Sequence, residues 1–177
     1  MGDFFELISR RESCRDYSDR PVEREKLERM IEAARLAPSA VNSQSWFYTV
    51  VTGKEAVAAV RRCAAQGGMN RFVLSCPAFV VVEELGPNLL SRLGGAVKDQ
   101  QYTQIDLGLS VMQLLLAATE VGLSTCMLGW FDRKGLEDAL GLGHGRPRLV
   151  ICVGYAADGR VKPKKRKPME RIARFIE

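Results

Sequence analysis

The feature that most constrains the fold is a long apolar segment in the second half of the chain, from about Asp99 to Val121. Its residue pattern predicts the longest helix of the chain, and after Leu107 nearly every residue is apolar. A helix that is apolar on most sides must be buried on most sides, so we expect it at the centre of the domain or in a subunit interface. The apolar run is too short for a membrane span, and Gly122 ends the helix.

Shorter segments with helix or strand patterns surround this central helix. Helices are predicted at residues 3–10, 22–35, 54–65 and 134–140, and strands at 47–52, 78–82, 124–128 and 149–153. Some connections are long, so the alternation favours an α+β fold with a mixed sheet over a doubly wound fold. The length of 177 residues fits a single domain, 1–177. Residues 86–97 hold Gly-Pro and Gly-Gly pairs and are interpreted as a surface excursion or a lid.

The composition argues against several kinds of site. The five cysteines are scattered, no C-x-x-C pair is present, and His144 is the only histidine. This supply is poor for a metal site or a disulfide framework, and a single histidine argues against a Ser-His or Cys-His nucleophile pair. No secretory signal pattern or membrane span is evident, so a cytoplasmic location is the default expectation.

The net charge of +5 comes from one end of the chain. From Gly159 onward, eight Lys and Arg residues stand against two Glu, a local charge of +6, so the rest of the chain sums to −1. The sequence therefore describes a basic C-terminal extension from about residue 159, not a basic protein. Taken alone, the run from Lys162 to Lys167 is a solvated surface or a patch for nucleic acid or anionic lipid, although it lacks aromatic residues for base stacking.

A second group of cations lies near the N-terminus, in the segment from Arg10 to Tyr17. The planar fork of arginine matches phosphate oxygens and a serine hydroxyl adds a donor, so this irregular segment suits an anionic ligand. A solvated charged loop is the alternative interpretation. The chain has no glycine-rich phosphate loop, which argues against a nucleoside-triphosphate or Rossmann site.

A third segment, Ala37 to Trp46, connects a predicted helix to a predicted strand. It is rich in small residues and side-chain amides. Small residues let a backbone approach a flat polar ligand closely, and amides can hydrogen-bond the edge of such a ligand. Without a ligand, the same segment is a helix end followed by a turn.

Four segments, in this order along the chain, resemble motifs of the flavin-dependent nitroreductase family, in its compact branch. They are Arg11-Glu12-Ser13-Cys14-Arg15-Asp16-Tyr17, the turn from Pro38 to Trp46, the segment from Gly122 to Asp132, and Lys164-x-Arg166-x-Pro168. The resemblance extends from Phe4 to Ile176. It departs from the common family pattern at Ala40, Ser45 and Met127, where serine, proline and tryptophan are frequent.

The resemblance implies a mixed, mainly antiparallel sheet flanked by helices and an FMN site shared between two subunits of a homodimer. Arg11 and Ser13 would then serve the FMN phosphate and ribityl region, and Arg15 would lie near flavin N1 and O2. Lys164 and Arg166 would close over the phosphate, followed by a short helix from Met169 to Ile176. The turn of the second subunit would lie against the flavin, and main-chain N–H groups of β-strand residues would face its ring. The residues implied in these last two roles are Pro38, Ser39, Ala40, Asn42 and Gln44 for the turn, and Leu128 and Gly129 for the N–H groups.

The function that the resemblance implies is an FMN-dependent NAD(P)H oxidoreductase. NADH or NADPH would deliver hydride to flavin N5 in a ping-pong cycle, and a small-molecule acceptor such as a nitroaromatic or a quinone would then take its place. No catalytic acid, base or nucleophile and no metal is implied, because the flavin carries the redox chemistry. Two alternatives stay open: another flavoenzyme on the same scaffold, such as a flavin reductase, dehalogenase or dehydrogenase, and a non-enzymatic basic protein that binds nucleic acid.

Overall fold

The computed structural model describes residues 3–86, 88, 100–159 and 161–177. Its strands are β1 (Trp46–Val51), β2 (Ala78–Glu84), β3 (Ser124–Leu128) and β4 (Arg146–Gly154). They form a four-stranded antiparallel sheet in the order β1-β2-β4-β3. Its helices are α1 (Phe4–Arg10), α2 (Arg24–Arg35), α3 (Lys54–Ala64), α4 (Tyr102–Glu120) and α5 (Arg133–Leu140). The expected α+β fold with a mainly antiparallel sheet is therefore confirmed.

Local sequence signals explain where the helices start and stop. Asp3 caps α1, since its Oδ1 accepts a hydrogen bond from the Phe5 N–H at 3.0 Å. Asp132 caps α5 in the same way, accepting from the Gly135 N–H at 3.1 Å. Gly141 ends α5 with φ of 61°, a left-handed conformation that glycine adopts without steric cost.

Two hydrophobic cores cover the two faces of the sheet. Helices α2 and α4 pack on one face, and α3 and α5 pack on the other. The central strand β2 is buried from Ala78 to Glu83 because both of its faces are covered.

The long apolar helix is buried on one side only. Leu114 and Ala118 of α4 are fully buried in the core that α4 shares with α2. On another face, Ile105, Leu109 and Met112 remain 52%, 45% and 40% exposed. The expected long helix is present, but in a single chain it is not buried on most sides, and an apolar stripe is left uncovered.

The N-terminal segment that follows α1 runs along the outer edge of β3. The Cys14 N–H donates to the Thr125 carbonyl at 2.9 Å, and Ser13 forms a parallel bridge with Thr125. The chain then turns, and the Ser18 N–H donates to the Tyr155 carbonyl at 2.9 Å, beyond the end of β4. These main-chain bonds place the side chains of residues 11–15 beside β3.

One predicted element differs from the structure. The segment from Met169 to Ile176 is not a helix: it contains a single 3₁₀ turn, Met169–Arg171, and continues without regular structure. Every residue from 161 to 177 is exposed, and an isolated helix of this length has no packing to offset its nucleation cost. The proposed excursion at 86–97 lies, apart from Gly86 and Asn88, outside the described residues. In the part of the chain that is described, no helix is long and apolar enough to cross a membrane.

Candidate functional site

Residues from the two ends of the chain meet in one open cavity of about 630 Å³. It is lined by Arg11, Glu12, Ser13, Arg15, Lys162, Pro163, Lys164, Lys165 and Arg166. The N-terminal and C-terminal cationic segments, some 150 positions apart in sequence, thus form one surface. Of these side chains only Glu12 is acidic, so the cavity has a strong excess of positive charge.

Glu12 and the end of α1 hold the C-terminal segment in place. The Lys162 N–H donates to Oε2 of Glu12 at 3.0 Å, and Nζ of Lys164 donates to the Ser9 carbonyl. Loss of solvation, together with the charges of Arg11 and Arg166, lowers the pKa of Lys164 below its ordinary value of 10.5. No role for Glu12 could be predicted from the sequence, because no local pattern distinguishes it from a solvated surface acid.

Arg15 extends from the same segment toward the far end of the cavity. Its guanidinium lies 5.9 Å from the centre of the Phe72 ring. Arg15 also lies close enough to Cys126 of β3 to oppose, in part, the burial that raises the pKa of that thiol. Burial raises the pKa of Cys14 as well, so the thiols nearest the cavity are neutral and poorly nucleophilic.

The outer edge of β3 offers main-chain donors next to these cations. In an antiparallel pair, the N–H and C=O groups of alternate residues point toward the neighbouring strand and away from it. Because the Thr125 carbonyl points away from β4, to Cys14, the main-chain groups of Met127 also point outward. The same alternation directs the Leu128 N–H toward β4, where Leu128 pairs with Val150. Of the two residues implied by the resemblance, Leu128 therefore turns its N–H into the sheet, whereas Gly129 follows directly after the last paired residue of β3.

The turn before β1 is tightly organised. Its 3₁₀ segment Ala40–Asn42 is closed by the Ser43 N–H, which donates to the Ala40 carbonyl at 3.0 Å. The Ser39 hydroxyl oxygen accepts from the Gln44 N–H at 3.0 Å, which leaves the hydroxyl hydrogen directed elsewhere. The Gln44 amide donates to Oδ1 of Asn42 at 3.1 Å, so these two side chains brace each other at the surface.

A helix residue fixes this turn from below. Asp106 of α4 is 3% exposed, and its Oδ1 accepts from the Ala40 N–H at 3.0 Å while its Oδ2 accepts from the Ser43 hydroxyl at 3.2 Å. Sequence reasoning missed Asp106, which stands alone among apolar neighbours near the start of α4. An acidic residue on the buried side of an apolar helix is the signal that would have found it.

In a single chain the turn and the cationic cavity lie at opposite edges of the sheet. The turn leads into β1 at one edge, and the cavity adjoins β3 at the other edge. Three strand spacings of about 4.8 Å separate the two edges, or about 14 Å. Among the described residues, no hydrogen bond or ion pair joins the turn to the cations. The structure therefore brings together the predicted N-terminal, C-terminal and β3 residues, and keeps the predicted turn residues apart from them.

The fold defines a class of α+β proteins that is represented by solved structures. A nitroreductase family protein from Streptococcus pneumoniae superposes with a TM-score of 0.81 at 27% identity, covering 98% of this chain and all of the other. A protein from Exiguobacterium sibiricum, crystallised in complex with FMN, gives a TM-score of 0.80 at 25% identity and covers 99% of this chain and 98% of its own.

The sequence comparison gives the family directly. The chain belongs to the nitroreductase family, whose profile matches residues 8–69 and 58–155. The Spy0809 protein of Streptococcus pyogenes, provisionally named an NAD(P)H nitroreductase, is 29% identical over 96% of this chain and 97% of its own length. The FMN reductase [NAD(P)H] of Bacillus subtilis is 27% identical over 97% of this chain and 73% of its own length. The family resemblance seen in the four motifs is confirmed.

Proposed function

We propose that the protein is an FMN-dependent NAD(P)H oxidoreductase that works as a homodimer. The observation that carries this proposal is the cavity in which Arg11, Ser13 and Arg15 meet Lys164 and Arg166. These are the residues that the family motifs pair with one cofactor, and they come from opposite ends of the chain. Relatives whose names include FMN and NAD(P)H support the same assignment.

The donor set of the cavity fits a phosphate monoester. Such a group carries about −1.5 to −2 charges at neutral pH and presents three acceptor oxygens. The guanidinium groups of Arg11 and Arg166 can each bind two of these oxygens, while Lys164 adds a point charge and Ser13 adds a hydroxyl donor. The carboxylate of Glu12 would repel the phosphate, but it already accepts the Lys162 N–H and so organises the tail.

The groups beside β3 fit the ring end of FMN. Arg15 supplies a fixed cation for the side of the ring that becomes anionic on reduction, and the Gly129 N–H, directly after the last residue of β3, would supply a donor. Bound FMN would take two electrons from NADH or NADPH and pass them to an acceptor such as a nitroaromatic or a quinone. We assign no acid, base or nucleophile of the protein to the reaction, because the nearby thiols are buried and neutral.

A second copy of the chain completes the site. The turn of the same chain lies about 14 Å away across the sheet, so it cannot face a ligand in the cavity of its own chain. A second copy could supply its own turn there. The exposed stripe of Ile105, Leu109 and Met112 on α4 lies near Asp106, which holds the turn, and such a stripe is a suitable surface for this pairing.

The test is the visible absorption spectrum of the purified protein, recorded before and after anaerobic addition of NADH or NADPH. We expect oxidised flavin bands that bleach with at least one donor, and a molar mass in solution of twice 19.7 kDa. Bands that persist with both donors would contradict the NAD(P)H oxidoreductase while retaining the flavin. A colourless protein that FMN does not reconstitute, and that binds RNA in a salt-sensitive manner through its tail, would establish the nucleic-acid alternative instead.

A further inference from the structure

We propose that Asp106 is a positioning residue of this site: it fixes the turn at residues 38–44 in the conformation presented to the flavin of the second subunit. This inference rests on the proposed function for the identity of the ligand. The two hydrogen bonds between Asp106 and the turn are observed within a single chain and do not depend on that identity. It assigns a role to a residue outside all four family motifs.

The two carboxylate oxygens grip the turn at two points. Oδ1 accepts from the Ala40 main chain and Oδ2 accepts from the Ser43 side chain, at 3.0 and 3.2 Å. These donors stand at the two ends of the 3₁₀ segment Ala40–Asn42, so Asp106 spans it as a clamp. Each oxygen has a donor of its own, and rotation of the carboxylate would break both bonds at once.

The conformation under this clamp is one that the turn residues disfavour. Val41, Asn42 and Gln44 have φ angles of 47°, 52° and 44°, in the left-handed region. Asparagine tolerates that region, whereas a β-branched residue such as Val41 is strained there. Val41 is 58% exposed, so packing of its side chain contributes little to holding it. The hydrogen bonds from Asp106 supply an external restraint that the turn sequence lacks.

Burying a carboxylate in order to restrain the turn carries a free-energy cost. Asp106 is 3% exposed, and no Lys or Arg of the described residues forms an ion pair with it. Burial of a charge without a cation is unfavourable unless hydrogen bonds replace the lost hydration. If α4 needed only to pack here, an apolar residue would serve, as at the neighbouring position Leu107. The carboxylate therefore points to a requirement for the shape of the turn.

One helical turn further along α4, Ser110 provides a matched control. Its hydroxyl donates to the Ala34 carbonyl at 2.7 Å, at the end of α2, and lies 2.6 Å from the Tyr48 hydroxyl. Ser110 is fully buried, like Asp106, and ties the same helix to α2 and β1. It makes no hydrogen bond to residues 38–44 in the described structure. Loss of Ser110 thus weakens the same packing without releasing the turn.

The experiment compares Asp106→Leu, which removes both acceptor oxygens at similar volume, with Ser110→Ala in the full-length dimer. Amide hydrogen exchange at residues 40–44 reports the turn, with or without flavin. The visible circular dichroism of bound FMN and the separate kcat and KM values for NADPH report the site. Ser43→Ala, which removes only the bond to Oδ2, covers the case in which Asp106→Leu does not fold, with exchange at residues 42–44 as its readout.

We expect Asp106→Leu to raise the exchange rate of the Ala40 amide at least tenfold, to change the flavin dichroism, and to lower kcat by about tenfold with a smaller change in KM. Ser110→Ala should lower the Tm comparably while leaving these signals as in the native protein. Asp106→Glu should recover part of kcat, because it restores an acceptor at a shifted position.

Equal, small effects of Asp106→Leu and Ser110→Ala on all site signals would overturn the proposal and leave Asp106 as a packing residue. The same holds if the exchange of the Ala40 amide is unchanged in Asp106→Leu or, where that variant does not fold, if the exchange at residues 42–44 is unchanged in Ser43→Ala. If the native protein binds no FMN, the proposed function fails, while the exchange measurement still decides whether Asp106 holds the turn.

Discussion

The turn at residues 38–44 and the basic tail at residues 161–177 are assigned to the same cofactor, yet they are built in opposite ways. The turn is closed by main-chain hydrogen bonds, braced by its own side chains and clamped by Asp106. The tail is exposed along its whole length, and Glu12 and the Ser9 carbonyl hold it near its start. The turn therefore has a defined shape before any ligand binds, whereas the tail is an exposed segment that carries several cations.

This difference shows how the two halves of the site would work. A preformed turn contributes the position of its backbone, so it should be sensitive to changes that alter its shape and insensitive to salt. A chain of exposed cations contributes electrostatic attraction, which depends on the number of charges and weakens with ionic strength. Substitutions that change either the shape of the turn or the charge of the cavity, but not both, therefore test this difference.

The largest expected effect is the removal of two guanidinium groups from the cavity. In Arg11→Ala/Arg166→Ala, the FMN phosphate loses two charge-assisted contacts, each worth about 1.5–3 kcal/mol. We expect FMN affinity to fall by about 10²- to 10⁴-fold, measured by titration of the apoprotein with FMN. The loss should shrink at high salt, because screening already weakens these contacts in the native protein.

Arg171→Ala/Arg174→Ala is the matched control for that change. It removes the same net charge, here from the exposed tail alone, and neither residue lines the cavity. We expect FMN affinity to change less than about threefold, as for distant surface charges. Equal losses in the two double variants would mean that the tail acts through overall charge and that no phosphate site is formed.

A smaller effect is expected from titration of Lys164. Desolvation and the charges of Arg11 and Arg166 lower the pKa of this ammonium group, whereas a bound phosphate dianion would raise it. The contribution of Lys164 to FMN affinity should therefore be fully present below the pKa of Lys164 in the free protein and decline as the pH rises through it, as measured by FMN titration of the apoprotein at a series of pH values.

Lys164→Arg tests the origin of this pH dependence. Arginine stays protonated throughout the range, so the variant should bind FMN with an affinity that is nearly constant between pH 8 and pH 10. Lys165→Arg, in the same cavity, should keep the decline of the native protein. A decline that persists in Lys164→Arg would assign the titration to another group.

Much of the fold follows from local patterns in the sequence. The bounds of β3 coincide with the prediction at 124–128, and the other predicted helices and strands of the ordered body differ by a few residues at their ends. These elements have strong signals: capping acids, apolar periodicity and a glycine after the last turn. The order of the strands does not follow in the same way, because pairing between β2 and β4 depends on contacts that are distant in sequence.

The candidate site likewise contains residues that could be predicted from local motifs and residues whose roles depend on contacts distant in sequence. Motif residues such as Arg11 and Arg166 could be predicted for the site from the family resemblance, whereas Asp106 and Glu12 could not. The role of Asp106 depends on the packing of α4 against the turn, and that of Glu12 depends on the tail lying beside the N-terminal segment. The predicted helix at 169–176 was wrong for a related reason. The family resemblance implied a helix there, but its apolar residues Ile172, Phe175 and Ile176 are exposed, and no surface of the single chain covers them.

A change in the turn that leaves charge untouched is Val41→Gly. Glycine adopts a φ of 47° without the steric cost that valine carries, so relief of strain should outweigh its backbone entropy. We expect a gain of about 1 kcal/mol, or roughly 2–4 °C in Tm, with a modest loss of kcat as the turn becomes more mobile. FMN affinity and its salt dependence should stay close to native, because the phosphate contacts are intact.

Val50→Gly is the control for this substitution. Val50 lies in the extended strand β1 and is 39% exposed, so glycine there relieves no strain and only adds freedom to the unfolded chain. The Tm should fall instead of rise. If Val41→Gly also destabilised the protein, the left-handed conformation of Val41 would not be a source of strain.

The smallest effect on the site is expected from Tyr48→Phe, which removes a hydroxyl beside the turn without touching it. The Tyr48 hydroxyl lies 2.6 Å from Ser110, and burial raises its pKa to about 12. Loss of this hydrogen bond should lower the free energy of unfolding by about 1 kcal/mol at pH 7. Turnover and FMN affinity should remain native, since neither the clamp on the turn nor the tail is altered.

The same variant carries a signature at alkaline pH. Between pH 10 and about pH 12 the unfolded chain ionises Tyr48 while the folded protein keeps it neutral, so the folded state binds more protons. The contribution of Tyr48 to stability is therefore complete below pH 10 and falls as the pH rises toward 12. Denaturant unfolding across this range should show a shallower decline in Tyr48→Phe than in the native protein. Parallel curves would mean that Tyr48 is more hydrated than its burial implies.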